Sequence, residues 1–200
     1  SMDGDLTISN GSGDNGGGGD ATIRVGNLAT TSVEGKVTLF NGAASNNNTV
    51  TLGSPTTSLI DLDALSVRNR TAGTTNLIEA LGLDMDDAAS GGVKINQGRA
   101  KVASVTVFDG PAIDVRGSIQ VSQRGADIYS GIQFWRGAIS GDVAFANGNS
   151  LNNQIFFATG GSGGTPGPVT IGGSSILATN GHATGFNQIG VARLTAPNAS

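Results

Sequence analysis

Between Ala100 and Ala146 apolar and polar residues alternate through Val102, Val105 and Val107, then Ile113 and Val115, then Ile119 and Val121. Such alternation constrains the fold strongly, because successive strand side chains point to opposite faces and only one face can be buried. Asp109-Gly110-Pro111, Arg116-Gly117, Arg124-Gly125, Ser130-Gly131 and Ser140-Gly141 interrupt the runs. These dipeptides suit chain reversal. The pattern predicts short antiparallel strands in a meander or sandwich-like module. The single Trp (Trp135) and single Tyr (Tyr129) fall inside it.

Composition sharpens this expectation. Gly supplies 33 of 200 residues, aromatics are 4% and charged residues 13%. Disorder calls for high net charge and few β-branched residues, whereas Val, Ile and Thr are plentiful here. So few bulky side chains predict that one chain cannot close a large core alone and that burial is completed against identical copies. The net charge of −4 and scattered Lys and Arg give no basic stripe of the kind nucleic-acid binding requires, so no nucleic-acid partner is expected. Without cysteine there is no disulfide framework and no thiolate metal site. No apolar run is long enough to insert in a membrane. Ser1-Met2 reads as the remnant of a cleaved tag on a piece of a longer chain, so the lack of a signal peptide says nothing about location.

In chain order, residues 5–9, 21–25, 35–40, 46–52, 58–67 and 93–95 read as strands, followed by the meander, QIFFA (154–158) and three closing strands. In 58–67, Ile60, Leu62 and Leu65 are expected inward and Asp61 and Asp63 in water. One short helix is predicted near 76–83, where Asn76 precedes Glu79 by three residues in a capping arrangement and Gly82 ends the run. The organisation expected is a flexible Gly-rich lead-in (1–20), an N-terminal β module with the helix (21–92), the meander core (93–158), and a Gly/Pro-rich span with C-terminal strands (159–200). VTLFNGAA (37–44) matches VTVFDGPA (105–112), with TIRVGNLA (22–29) and VKINQGRA (93–100) upstream of each and SIQVSQRGA (118–126) as a looser echo. Convergence on Asx-Gly turns explains the match as well as a duplicated, stacked β unit does.

Catalytic patterns are weak. Gly160–Gly164 fits G-x-S-x-G, yet Thr165-Pro166-Gly167-Pro168 follows where a nucleophile elbow needs a helix. Gly11–Gly16 fits G-x-G-x-x-G, with more glycines where the phosphate-binding helix should start. His182, the only histidine, sits in a turn-rich segment with no partner at a useful spacing. Asp109, Asp114, Asp127 and Asp142 could supply a glycosidase pair, but most of them occupy turn positions, Asp109 before Gly110 and Asp142 after Gly141. Asp84, Asp86 and Asp87 lack the ligand spacing of a calcium loop, and Asp20 closes a single degraded echo of a calcium-binding nonapeptide. No catalytic residue, metal site or cofactor is therefore assigned. The remaining candidates are aromatic. Phe134 and Trp135 must face opposite sides of one strand, so Trp135, with Tyr129 and Arg136, is the candidate ligand platform. Burial of Trp135 by a neighbouring subunit is the plainer alternative.

The Gly/Asn/Ser/Thr-rich β segments, the Ser-Met start, the absence of cysteine and the closing GVARLTAP resemble phage tail fibres and trimeric bacterial fibre adhesins. That resemblance implies an intertwined homotrimer at a cell surface or on a virion tail, attaching to a cell-surface glycan or protein without catalysis. Two alternatives stand beside it. One is a parallel β-solenoid, a tailspike or secreted adhesin whose carboxylates cleave a polysaccharide; the other is a structural capsid or fibre connector.

Overall fold

The computed structural model describes residues 1–11, 19–26, 30–54, 59–85, 91–110, 113–157 and 167–197. The first coil holds β1 (Met2–Asp3), β2 (Leu6–Asn10) and β3 (Ala21–Val25), and the second β4 (Thr31–Asn41) and β5 (Asn47–Leu52). Next come β6 (Ile60–Asn69) and β7 (Thr75–Ala80), then β8 (Leu83–Met85), β9 (Gly92–Gln97) and β10 (Ala103–Phe108). The fifth coil has β11 (Ile113–Val115), β12 (Ile119–Gln123) and β13 (Tyr129–Phe134), and the sixth β14 (Gly137–Ile139), β15 (Val143–Ala146) and β16 (Asn152–Phe157). The last contains β17 (Val169–Ile171), β18 (Ile176–Thr179) and β19 (Asn187–Val191), after which β20 (Leu194–Thr195) begins another layer.

Every ladder is parallel. Partners lie one coil apart, from 23 residues (Tyr129 to Asn152) to 34 (Asn153 to Asn187). The chain is a β-solenoid, and seven successive coils each place one described strand on its third face. A 13-stranded sheet covers its first and second faces, and a 7-stranded sheet (β3, β5, β7, β10, β13, β16, β19) forms the third. In β4 and β6 one long strand bends across the first two faces. The register shifts there between Val33 and Lys36, and in β6 both Ala64 and Leu65 are buried.

The expected antiparallel meander or sandwich is thus overturned. Parallel sheets are commonly covered on both faces and read as continuous apolar runs, whereas one-sided alternation is the habit of antiparallel sheets. A solenoid combines parallel pairing with a wet outer face, so its strands alternate too. Each described strand pairs with the equivalent strand of a neighbouring coil of the same chain. A single apolar cluster runs from Ile23 to Ile171, in columns such as Leu39, Val67, Ile95, Val121 and Phe145 on the second face. Phe145 stacks on Phe157 at 5.1 Å and Phe108 meets Phe134 at 5.2 Å, so four phenylalanines fill the centre of coils four to six.

The expected helix at 76–83 is also overturned. Residues 75–80 are β7 and 83–85 are β8, and no helix occurs among the described residues. Asn76 does not cap anything; it is buried and its amide donates to the carbonyls of Gly98 and Arg99 in the next coil. Ile78 and Ala80 follow it inward. Core burial outweighs a two-turn helix signal, which is marginal alone.

A polar column holds the corner between the second and third faces. Asn41, Asn69, Gln97 and Gln123 are in register. Each donates its amide to a carbonyl eight residues ahead: Thr49, Leu77, Val105 and Gly131. Asn180 does the same to Gln188, and Asn147 reaches Gln154. Directly inside run Ala44, Ala72, Ala100 and Ala126, bridged one to the next. Backbone polar groups at a buried bend need partners, and these amides supply them.

Candidate functional site

Three outward surfaces differ in chemistry. On the first face Ser32, Asp61, Asp84, Asp114, Ala138 and Thr170 form one column. Asp3 and Glu34 are ladder neighbours at its start. The second face carries Thr38, Ser66, Lys94, Gln120, Ala144 and Leu177 in one column. Phe40, Arg68, Asn96, Ser122, Ala146 and Thr179 form the other, and neither includes a carboxylate.

The third face bears the aromatic candidates. Phe134 is buried, whereas Trp135, one residue on, is half-buried. On the outer side Tyr129 and Gln133 precede it on β13. The Trp135 Nε1–H donates to Gln133 Oε1 at 3.0 Å, Gln133 Nε2 donates to the Tyr129 hydroxyl at 3.2 Å, and that hydroxyl donates to Gln154 Oε1 at 2.9 Å. Four side chains are therefore tied into one line. The Tyr129 ring lies against Gly131, where an added Cβ would come within 2.8 Å of ring atoms Cε1 and Cζ. Only glycine leaves room for the ring to lie flat. Burial pushes the Tyr129 phenol above its ordinary value of 10.0, with the Gln133 hydrogen bond opposing this, so it remains a neutral donor at physiological pH. Phe156 stands beside Gln133 in register, and Val105 beside Gly131.

This surface offers flat apolar rings edged by amides. Among the described residues Gln154 Nε2 makes no hydrogen bond, and Gln133 Nε2 uses one of its two protons. Such an edge can serve hydroxyl groups while the rings take an apolar face. Arg136 does not join it. Its Nε and Nη2 donate to Asp109 Oδ1 at 3.1 and 3.0 Å, binding coil four to the corner that follows β13. Gln133, Gln154 and Phe156 were absent from the sequence candidates, since an outward amide or lone Phe carries no signal without its neighbours.

The four candidate carboxylates are dispersed. Asp109 holds Arg136, Asp127 holds Arg99 through a 2.6 Å contact, and Asp142 accepts from the backbone N–H groups of Ser174 and Ser175. Asp114 stands on the first face. His182 is exposed in a corner, its N–H donating to Asn149 Oδ1. Residues 12–16 of the G-x-G-x-x-G match, the whole G-x-S-x-G match, and Asp86 and Asp87 lie outside the described residues. No group of three or more potential metal ligands occurs among the described residues.

No family model, curated protein or solved structure matches this chain.

Proposed function

We propose that the chain is a non-catalytic, glycan-binding β-solenoid of the adhesin or tailspike kind, attaching to a cell-surface polysaccharide through its third face. The observation that carries this reading is the hydrogen-bonded line from Trp135 through Gln133 and Tyr129 to Gln154. Aromatic rings held rigid before a ligand arrives lose little conformational freedom on binding. Trp and Tyr also combine a large apolar surface with a polar tip, which matches the two-sided chemistry of a pyranose ring. A solenoid adds a long, regular surface along which an extended polymer can lie. Each coil advances by about 4.8 Å, close to the advance of one sugar residue.

A glycan array followed by titration with the best ligand tests the proposal. Trp135→Ala should weaken binding by about tenfold or more, equivalent to ~1.4 kcal/mol, with an unchanged circular dichroism spectrum. Wild-type affinity in that variant would remove the platform from consideration. Release of reducing ends from the bound glycan would overturn the non-catalytic part.

A further inference from the structure

We propose a second site, independent of the aromatic platform: the groove at the corner between the second and third faces binds carboxylate groups of an acidic polysaccharide. The groove has a volume of about 570 Å³. Its corner residues run Arg70, Gly98, Arg124, one per coil, since the Gly98 N–H donates to the Asn69 carbonyl and the Arg124 N–H to that of Gln97. Gly98 forms the floor between the two arginines. An added Cβ there would come within 2.6 Å of the Arg70 carbonyl carbon, so a side chain cannot fill the space.

The two guanidinium groups are exposed, and among the described residues neither forms an ion pair. Arg99, on the same corner, is taken up by Asp127. Arg68 and Arg70 both sit over the Phe40 ring, at 5.9 and 5.2 Å from its centroid. Stacking of this kind orients a guanidinium while leaving its edge N–H groups open. A planar carboxylate is the natural partner of that edge. Asn96 and Ser122 also line the groove and can serve sugar hydroxyls.

Spacing selects the polymer. Arg70 and Arg124 are two coils apart, or about 10 Å. In an extended chain of uronic acids, alternate residues turn their carboxylates to the same side, and two residues advance by a similar distance. Nucleic acid presents a phosphate about every 3.4 Å along each strand, far denser than the arginines.

Calorimetric titration with an oligogalacturonate decides the matter, with neutral dextran oligomers and oligo-dT as comparisons. Oligogalacturonate should bind, more weakly as salt is raised, while dextran gives no heat at this site. The double variant R70Q/R124Q, with wild-type circular dichroism and melting temperature, should lose affinity by about tenfold or more. Trp135→Ala should retain it, which separates this site from the platform. The proposal is overturned by no binding at millimolar oligogalacturonate, by wild-type affinity in R70Q/R124Q, or by tighter binding of oligo-dT.

Discussion

Glu34 shows how one outward carboxylate can oppose the fold that holds it. Its pKa is raised from the ordinary value of 4.5, first by a hydrogen bond with Asp3, then by the Asp3 charge, with Asp61 and Asp63 adding to it. A raised acid pKa means the folded state disfavours the ionised form. The disadvantage of the ionised form is complete above the raised pKa, shrinks as pH falls through it, and is absent below the unfolded-state value. Glu34→Gln should therefore melt at a higher temperature than wild type at pH 7, with the gap closing below the ordinary carboxylate range. Equal melting at pH 7 would show that the Asp3 pair carries no net repulsion. Individual residues were unevenly legible in the sequence. Tyr129 and Trp135 could be singled out because each is the only one of its kind, and alternation placed Trp135 opposite Phe134. Nothing local marked Arg136 as Asp109's partner, because the two are 27 residues apart and meet only when coils stack.

At the scale of the element, the corner governs. Gln123 donates to the Gly131 carbonyl at 2.9 Å and to Asn147 Oδ1 at 2.8 Å, and accepts from the Ser104 hydroxyl at 3.1 Å. Gln123→Ala removes all three and leaves a buried carbonyl without its donor, at a cost of about 1–3 kcal/mol. Urea unfolding reads this as a lower midpoint with an unchanged slope. Strand positions were legible because alternation reports one-sided burial directly. Pairing was not, because alternation is silent on whether the neighbour runs parallel or antiparallel. The internal repeat was visible but misaligned. Val37 is linked in register through Leu65 to Val93 and Ile119, whereas Val105 pairs with Leu77 and Gly131 on the other sheet. The resemblance between 37–44 and 105–112 arose from shared turn chemistry. The true signal was the corner amide followed three residues later by Ala or Ser, at 41/44, 69/72, 97/100, 123/126, 147/150 and 180/183. Its coil length varies, which blurs any fixed period.

For the whole molecule, each coil touches its two neighbours, so stability is close to a sum along one axis. The end coils have one neighbour only. Inward-facing Ile189 and Val191 of the last coil remain 48% and 55% exposed, while Ile132 and Phe134 in the middle are fully buried. Amide hydrogen exchange should therefore be slowest in β9, β10, β12 and β13 and fastest in β1, β18 and β19. Uniform protection from end to end would show that the coils open as one unit.

The corner column has a consequence for how such a chain can change. Where the corner residue is Gln97 or Gln123, the residue seven ahead is Ser104 or Ser130; where it is Asn41 or Asn69, that residue is Asn48 or Asn76. Long amide meets short hydroxyl, and short amide meets amide. The hydrogen bonds of Ser104 to both Gln97 and Gln123 show the matching spans adjacent layers. Coils are thus parts cut to two gauges. Coils three and four already join the two gauges, with Asn69 beside Gln97 and Asn76 donating to the Gly98 and Arg99 carbonyls, so the rod holds a joint between the gauges as well as joints within each.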